Sequence, residues 1–460
     1  MANTVLLVLI IMYMIGMVIL GALDSRKAKT FKEYAVAGKN QNTYKVCMTT
    51  LATIVGASAT IGVVDTTYKI GFPGMWWLVF GAIGLILQAL LISKKVRRLD
   101  ADTLPDMARI LVGRNAEVLI SLIIVISWVG VVAGQLVALN NIMSLVLGSN
   151  SKKIFVLVSI AVLIYTILGG QMSVVKTDAI QYVIIAVGIV ATFIYLIFVN
   201  KSNVGMITDN IELINDGYKP INLLTQFFII GGVYFLGPDI MSRNLIAKDE
   251  RTAKKSALFA AAGLLIFTVF IVFIGMWARY NVLPEEFGKS SLLIYVIEHY
   301  LPKPVAYIMV IAIISAILSS TDTCIINASS IFVKDILKKD SIKLIRITVL
   351  VIGAFAMGIA LKGQDIITIL TGAYSIYTPG VIFPLFIAIV VYKHGEIIKA
   401  LWLSAVLFGG LFGIVGTYFP QLLKGLPEFV KNNFSLIGMG VSLVLALISV
   451  KWKSVKKVEE

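Results

Sequence analysis

The chain has 460 residues, of which 58% are hydrophobic and 14% are charged, and its formal net charge is +15. This composition is more apolar and less charged than that of a soluble globular domain, and it excludes that class. A nucleic-acid partner is not needed to explain the positive charge, because the basic residues are spread over loops that would lie beside an anionic membrane leaflet.

Apolar runs of about 20 residues recur between Leu6 and Val450, and a helix of that length crosses the hydrocarbon core of a bilayer. The segments are too long for barrel strands, and only helices would satisfy their backbone hydrogen bonds in lipid. We therefore predict an all-α integral membrane protein with about thirteen transmembrane helices. The predicted segments are 4–22, 43–67, 73–93, 116–147, 153–170, 177–199, 224–242, 253–279, 304–332, 342–361, 366–392, 397–418 and 434–451.

The loop charges predict the orientation of the chain. Lys and Arg accumulate in cytoplasmic loops, and here they concentrate in alternate connections, starting after the first helix, and in the C-terminal tail. The pattern predicts a multi-pass protein of the cell membrane, plasma or inner, with its N-terminus outside and its C-terminus in the cytoplasm.

After the first helix, the core divides into two blocks of five helices. Because five is odd, the second block starts on the opposite side of the membrane from the first, which is the topology of an inverted repeat. The predicted parts are an extra helix and cytoplasmic loop (1–42), a first repeat (43–199), an extracellular loop (200–223), a second repeat (224–392), and two C-terminal helices with a basic cytoplasmic tail (393–460).

Each repeat begins with a helix that contains helix-breaking residues. The first reads TTLATIVGASATIGVVDTTYKIG, with Gly56 and Gly62, and the second reads TQFFIIGGVYFLGPDIMSR, with Gly237 and Pro238. Glycine lowers helix stability and proline removes an amide donor, so both stretches can expose backbone carbonyls near the bilayer midplane. Close helix packing through small residues is the alternative explanation.

The segment AIISAILSSTDTCIINASS, residues 312–330, carries many oxygen-bearing side chains for a membrane helix. At about 100° per residue, most of them share one narrow face, and Asp322 lies about 60° to one side of Ser319. The face is formed by Ala316, Ser319, Ser320, Thr323, Asn327 and Ser330. Such a stripe can line an ion site, or its hydroxyls can bond to carbonyls one turn earlier in the same helix.

Four stretches resemble the sodium:solute symporter family, which includes proline, pantothenate, sialic acid and sugar cotransporters. They are LATIVGASATIG (51–62), GGQMSVVKTDAIQ (169–181), GPDIMSRNLIAKDERTAKKS (237–256) and AILSSTDTCIINASSIFVKD (316–335). The resemblance implies a LeuT-type fold, with ten core helices and extra helices at both ends, and a sodium-coupled symporter. No catalytic residues are predicted, because paired acids, a histidine motif or a nucleophile with its base are not found at usable spacing.

The resemblance also implies a sodium site between the first broken helix and the hydroxyl stripe. Its ligands would be the carbonyls of Ala52, Val55 and Ala316 and the hydroxyls of Ser319 and Ser320. Sodium is a hard cation, for which oxygen ligands are suitable.

Asp178 matches an acid that lies near the sodium route in the family. It would serve that route or a second sodium, together with Ser319, Asp322 and Thr323. The alternative is a structural role, in which Thr177 caps the helix and Asp178 in its first turn meets the helix dipole.

Candidate solute-binding residues lie between the two broken helices and on the fifth helix of the second repeat. They are Ser58, Ala59, Gly62, Tyr234, Gly237, Pro238, Tyr374, Ser375 and Tyr377. The match of Tyr234 and Pro238 to proline-type members favours proline or a similar small zwitterion or carboxylate. Pantothenate, a monocarboxylate, sialic acid or a sugar remain alternatives, as does a solute sensor that does not transport.

Other polar and aromatic residues are assigned structural roles. Asp239 and Arg243 are spaced one helical turn apart and are expected to form an ion pair. Trp76 and Trp77 are expected to be interfacial anchors. The expected partners are sodium, a small organic solute and the lipid bilayer, and the functional unit is expected to be a monomer.

Overall fold

A computed structural model describes residues 4–25, 30–148, 152–198, 204–209, 211–287, 291–362 and 365–452. Six basic residues used in the orientation prediction lie outside these ranges: Arg26, Lys27, Lys29, Lys453, Lys456 and Lys457.

The described chain is almost entirely helical. In chain order the helices are Thr4–Ser25, Phe31–Val36, Ala37–Lys39, Thr43–Ile54, Ser58–Ile70, Phe72–Arg98, Leu104–Leu111, Arg114–Leu147, Lys152–Leu168, Gln171–Phe198, Val204–Asp209, Pro220–Ile246 with an interruption at Gly237, Glu250–Asn281, Pro284–Phe287, Leu292–His299, Lys303–Ile336, Ile342–Ala360, Ile366–Val391, Lys399–Tyr418, Pro420–Leu423, Glu428–Asn432 and Phe434–Ile448. Two short antiparallel strands, Gly395–Ile397 and Val450–Trp452, pair near the C-terminus.

The all-α membrane architecture predicted from the sequence is confirmed, whereas the number of thirteen spans is not established. Each predicted segment coincides with a helix. Within the described residues, ten helices are long and apolar enough to cross a membrane, or eleven if a bent pair counts as one span. The remaining two segments correspond to the shorter helices Lys152–Leu168 and Phe434–Ile448.

The first broken helix consists of Thr43–Ile54 and Ser58–Ile70, which are bent by 61° at their junction. The Asn42 side chain caps its start by accepting a hydrogen bond from the Lys45 amide at 3.0 Å. The helical backbone stops at Val55, where ψ is 59°. A side chain at Gly56 would collide with Ser320, because a Cβ there would lie 2.9 Å from Ser320 Cβ. The glycine therefore permits the close approach of the two segments at the break.

The second broken helix covers 220–236 and Pro238–Ile246. Gly237 between them is extended, with φ −62° and ψ 145°. Proline fits the first position of the second part, where the amide has no partner within the helix. The carbonyl of Leu236 accepts a hydrogen bond from the Tyr377 hydroxyl at 2.6 Å, which satisfies one of the backbone acceptors left free at the break.

The helix Lys303–Ile336, called the hydroxyl helix below, lies at the centre of the molecule. Every residue from Met309 to Ile331 except the partly exposed Ile311 is buried. The hydroxyl helix packs against the helices Gln171–Phe198 and Arg114–Leu147 and against Thr43–Ile54 of the first broken helix. The polar stripe therefore faces protein and not lipid.

Candidate functional site

The first break meets the hydroxyl helix through Ser320. Its hydroxyl donates to the carbonyl of Thr53 at 2.8 Å, across the two segments. The predicted sodium ligands Ala52, Val55 and Ala316 are completely buried in the same region. Carbonyls in the last turn of a helix lack partners within that helix, so this junction concentrates oxygen atoms suited to a small hard cation.

The two predicted serine ligands behave differently from neighbouring hydroxyls on the same helix. Ser315 and Thr321 bond to carbonyls one turn earlier, at 2.8 and 2.6 Å. Ser320 bonds to the first broken helix, and Ser319 donates to Asp178 Oδ1 at 2.6 Å. The back-bonding explanation therefore describes the flanking hydroxyls, whereas Ser319 and Ser320 make contacts outside their own helix.

Asp178 is completely buried and lies well inside the helix Gln171–Phe198. The helix begins seven residues before it, so the alternative of a first-turn acid at the helix start is wrong. Its carboxylate accepts hydrogen bonds from Ser319, from Thr49 and from Arg243, whose Nη2 is 3.1 Å from Oδ2. Asp178 thus joins the hydroxyl helix and both broken helices.

Arg243 forms its buried ion pair with Asp178, and the predicted pairing with Asp239 is wrong. The guanidinium also donates to Thr53 Oγ1 at 2.8 Å and to Thr323. One-turn spacing places Asp239 and Arg243 near each other on their helix, but the long arginine side chain extends to the acid of another helix. Arg243 consequently occupies part of the set predicted for a second sodium.

Asp322 has a hydrogen-bond partner outside that set. Its carboxylate accepts a hydrogen bond from Thr166, on the helix Lys152–Leu168. Of the four predicted second-ion residues, the structure brings Ser319 into contact with Asp178, and Arg243 bridges Asp178 and Thr323. Asp322 lies in a separate contact.

A small buried cavity of about 40 Å³ lies between the two breaks. Four predicted solute residues line it: Ser58, Tyr234, Gly237 and Tyr374. Thr53, Gly56 and Ser320 from the ion junction line the same cavity. The candidate ion site and the candidate solute site are therefore adjacent.

The other predicted solute residues do not line this cavity. Gly62 lines a larger cavity of about 850 Å³, and Pro238 lines another cavity of about 20 Å³. The Tyr377 hydroxyl donates a hydrogen bond to the Leu236 carbonyl at the second break, and the Ser375 carbonyl packs against Gly413. Ala59 is completely buried in the core.

Sequence reasoning missed several residues that line the cavity, among them Trp128, Gln135, Asp239 and Cys324. Gln135 Oε1 accepts a hydrogen bond from the Ala57 amide at 3.1 Å, which satisfies a donor exposed by the first break. Trp128 and Gln135 belong to a helix of 34 residues whose apolar residues are spread around all its sides, so no periodic pattern marks the side that faces the cavity. Asp239 had a signal, because it directly follows the predicted break at Pro238.

Trp77 is also located differently from its prediction as an interfacial anchor. Its side chain is only 5% exposed, and its ring centroid lies 6.4 Å from that of Tyr374. Trp77 therefore belongs to the aromatic surroundings of the cavity.

An ion-pair cluster ties together segments on the side of the molecule predicted to be cytoplasmic. Asp102 pairs with Lys39 at 2.9 Å and with Lys334 at the end of the hydroxyl helix. Burial raises the pKa of Asp102, but the hydrogen bonds and charges of Lys334 and Lys39 outweigh burial and hold this pKa below its ordinary value. The cluster joins the loop before the first broken helix to the hydroxyl helix.

Comparison with known proteins agrees with this geometry. Residues 34–404 match the model of the sodium:solute symporter family. The chain is 25% identical to the sodium/pantothenate symporter of Haemophilus influenzae over 349 residues, covering 72% of this chain and 71% of the relative. It is 25% identical to high-affinity choline transporter 1 of Caenorhabditis elegans, covering 80% and 70% of the two chains. The sodium/proline symporter of Escherichia coli is 22% identical, with 79% and 78% covered.

Among solved structures, a sodium-coupled sialic acid symporter in a substrate-bound, outward-open state is similar, with a TM-score of 0.78. The alignment covers 97% of this chain and 99% of that one at 19% identity, which shows a shared fold. The resemblance inferred from the four sequence stretches is thus confirmed. The chain belongs to the sodium:solute symporter family, a family of sodium-coupled transporters and not of enzymes, and it has the LeuT-type fold.

Proposed function

We propose that the protein couples the inward movement of sodium to the import of a small organic solute by alternating access. It would act in the plasma or inner membrane as a monomer, with its N-terminus outside and its C-terminus in the cytoplasm. The observation that carries the proposal is the junction of Ser320 with Thr53, where buried carbonyls of the first break meet hydroxyls of the hydroxyl helix.

Sodium would bind at this junction, between the carbonyls of Ala52, Val55 and Ala316 and the hydroxyls of Ser319 and Ser320. Binding there holds the first broken helix against the hydroxyl helix. Because Ser320 also lines the solute cavity, the ion stabilises one wall of the solute site. Coupling is reciprocal, so bound solute raises sodium affinity by the factor by which sodium raises solute affinity.

We propose one sodium per cycle in the arrangement described. A second sodium at Asp178, Ser319, Asp322 and Thr323 would have to displace the Arg243 guanidinium from Asp178 and Thr323. The guanidinium already supplies a positive charge there. Asp178 then serves the ion route by fixing Ser319 and Arg243.

For the solute, we propose proline or a similar small zwitterion. The cavity lies between the two breaks, where backbone groups released from helical hydrogen bonding can bind the polar groups of one molecule. The sodium/proline symporter among the relatives supports this choice. Pantothenate and choline carriers among the relatives make those solutes the direct competitors in any assay.

The test is uptake of radiolabelled solute into proteoliposomes with an imposed sodium gradient. Ser320→Ala removes a ligand and should raise the sodium concentration for half-maximal uptake about tenfold or more, since one lost contact of about 1.4 kcal/mol is a factor of ten. Ser329→Ala is the matched control. Ser329 is buried on the same helix, and its hydroxyl has no hydrogen-bond partner within the part of the chain that the structure describes.

Sodium-driven uptake by the unaltered protein, with a shifted sodium dependence in Ser320→Ala alone, supports the proposal. Equal sodium dependence in both variants would remove the site assignment. Accumulation that follows a potassium gradient equally well would remove the coupling mechanism.

A further inference from the structure

We infer that the transported solute carries a positively charged nitrogen, which Asp239 and the aromatic side chains Trp128 and Tyr374 bind. The inference rests on the proposed transport function and assigns its substrate class. It starts from a buried carboxylate on the wall of the solute cavity.

Asp239 is held in place by neutral donors. Trp128 Nε1 donates to Oδ2 at 2.8 Å, Asn327 Nδ2 donates to Oδ1 at 2.9 Å, and the Cys324 thiol lies 3.2 Å from Oδ2. These three contacts come from two other helices and fix the orientation of the carboxylate. All three donors are uncharged, and a carboxylate has about four acceptor positions.

The nearest arginine is engaged elsewhere. Arg243 lies one turn further along the same helix, but its guanidinium pairs with Asp178 at 3.1 Å. Within the described residues no cation makes an ion-pair contact with Asp239, and the Arg243 charge acts on it only from a distance. A buried carboxylate without a cation in contact is costly, and ionisable groups at membrane depth usually have a function in the interior. A cationic group of the solute, bound in the cavity beside Asp239, would be a cation in direct contact with this carboxylate.

The aromatic side chains beside Asp239 suit an alkylated or protonated nitrogen. The ring centroids of Trp128 and Trp77 each lie 6.4 Å from that of Tyr374. Tyr234 lines the cavity from the second broken helix. Aromatic faces attract cations, most strongly where water is excluded, and such surfaces recognise quaternary ammonium groups.

The same arrangement disfavours a solute that carries only a negative charge. An anion beside Asp239 would meet a like charge in a buried site, which costs several kcal/mol in an interface. The cavity is small, which also favours a compact molecule. A zwitterion fits when its ammonium end faces Asp239.

The experiment measures thermal stabilisation of the purified, detergent-solubilised protein by a solute panel, in sodium and again in potassium. The panel contains choline, proline and glycine betaine, each with a charged nitrogen. It also contains pyruvate, pantothenate and dimethylbutanol, in which a carbon replaces the quaternary nitrogen of choline. We expect stabilisation in sodium by at least one of the first three and by none of the others.

Variants then test the residues for the solute that binds. Asp239→Asn keeps the shape and removes the charge, and it should weaken binding at least about thirtyfold. Asp335→Asn makes the same change at another fully buried acid, which does not line the cavity and accepts a hydrogen bond from Thr103 at 2.7 Å. The Asp335→Asn variant should bind solute normally. Tyr374→Leu should weaken binding about tenfold, and Tyr374→Phe, which keeps the ring, should lose less.

Stabilisation by sodium alone serves as the folding control. It also distinguishes a failure of the substrate inference from a failure of the proposed function. If sodium stabilises the protein but only uncharged or anionic solutes bind, or none of the panel binds, the inference on substrate class is overturned while the sodium site stands. Equal affinity of Asp239→Asn and the unaltered protein also overturns it. If sodium and potassium have the same effect throughout, the proposed function itself fails.

Discussion

The close approach of Gly56 to Ser320 leads to a prediction that can be worked out from the structure. In Gly56→Ala, the new Cβ would lie 2.9 Å from Ser320 Cβ and still closer to its hydroxyl, and 3.1 Å from Gln135 Nε2. Carbon contacts of this kind require the neighbour to move, so Ser320 must leave its position against the Thr53 carbonyl. Overpacking of a buried site costs about 1–3 kcal/mol.

If that cost falls on the sodium-bound form, the sodium concentration for half-maximal uptake rises about 5- to 150-fold. The assay is initial uptake into proteoliposomes at graded external sodium, with thermal unfolding measured on the same preparations. The matched control is Gly358→Ala, where a Cβ meets nothing within 4 Å. The control should retain normal sodium dependence and unfold at the same temperature or slightly higher, since alanine favours a helix.

The reasoning is refuted if Gly56→Ala and Gly358→Ala have the same sodium dependence. A loss of folded protein in Gly56→Ala would be distinguished by the unfolding measurement. In that case the double variant Gly56→Ala with Ser320→Gly, which removes the obstructing side chain, should recover stability but not sodium affinity.

Two further predictions concern buried and interfacial charges. Arg243→Ala leaves Asp178 buried without its cation and should lower the free energy of unfolding by about 3–5 kcal/mol. Adding Asp178→Asn should restore part of this loss, which a double-mutant cycle measured by denaturant unfolding would show. Additive losses in the two variants would contradict the ion pair. At the ion-pair cluster of Asp102, the lowered pKa of Asp102 means that its contribution to stability is fully present above its unfolded pKa of about 3.9 and is lost as the pH falls through the lower folded value. Asp102→Asn should therefore lower the unfolding temperature at neutral pH and flatten its decline in acid, and an unchanged acid profile would show that the pairs with Lys39 and Lys334 do not stabilise the fold.

Features encoded by local pattern were predictable from the sequence. Long apolar runs located the helices, because lipid permits few alternatives for the backbone. Gly56 and the pair Gly237–Pro238 marked both breaks, because glycine lowers helix stability and proline removes a backbone amide donor. The polar stripe around Ser320 was visible since a helix places every third or fourth residue on one face.

The partners of individual side chains could not be predicted in the same way. Arg243 was assigned to Asp239 by spacing along one helix, but its length allows it to reach Asp178 in another. Trp128 lines the cavity and Trp77 contacts Tyr374 because of how whole helices pack, and the sequence of an apolar helix does not indicate which neighbour covers which side. For a residue with several feasible neighbours, the contact partner can be assigned only from the tertiary structure.

The position of Arg243 has a consequence for the speed of the transport cycle. This one side chain contacts Thr53, Asp178 and Thr323, and so fastens the second broken helix to three other helices. Any rearrangement that separates these helices must first extract a charged group from its ionic and hydroxyl contacts. Breaking the guanidinium contacts would then contribute to the activation barrier of the transport cycle. The temperature dependence of the turnover rate should include this contribution.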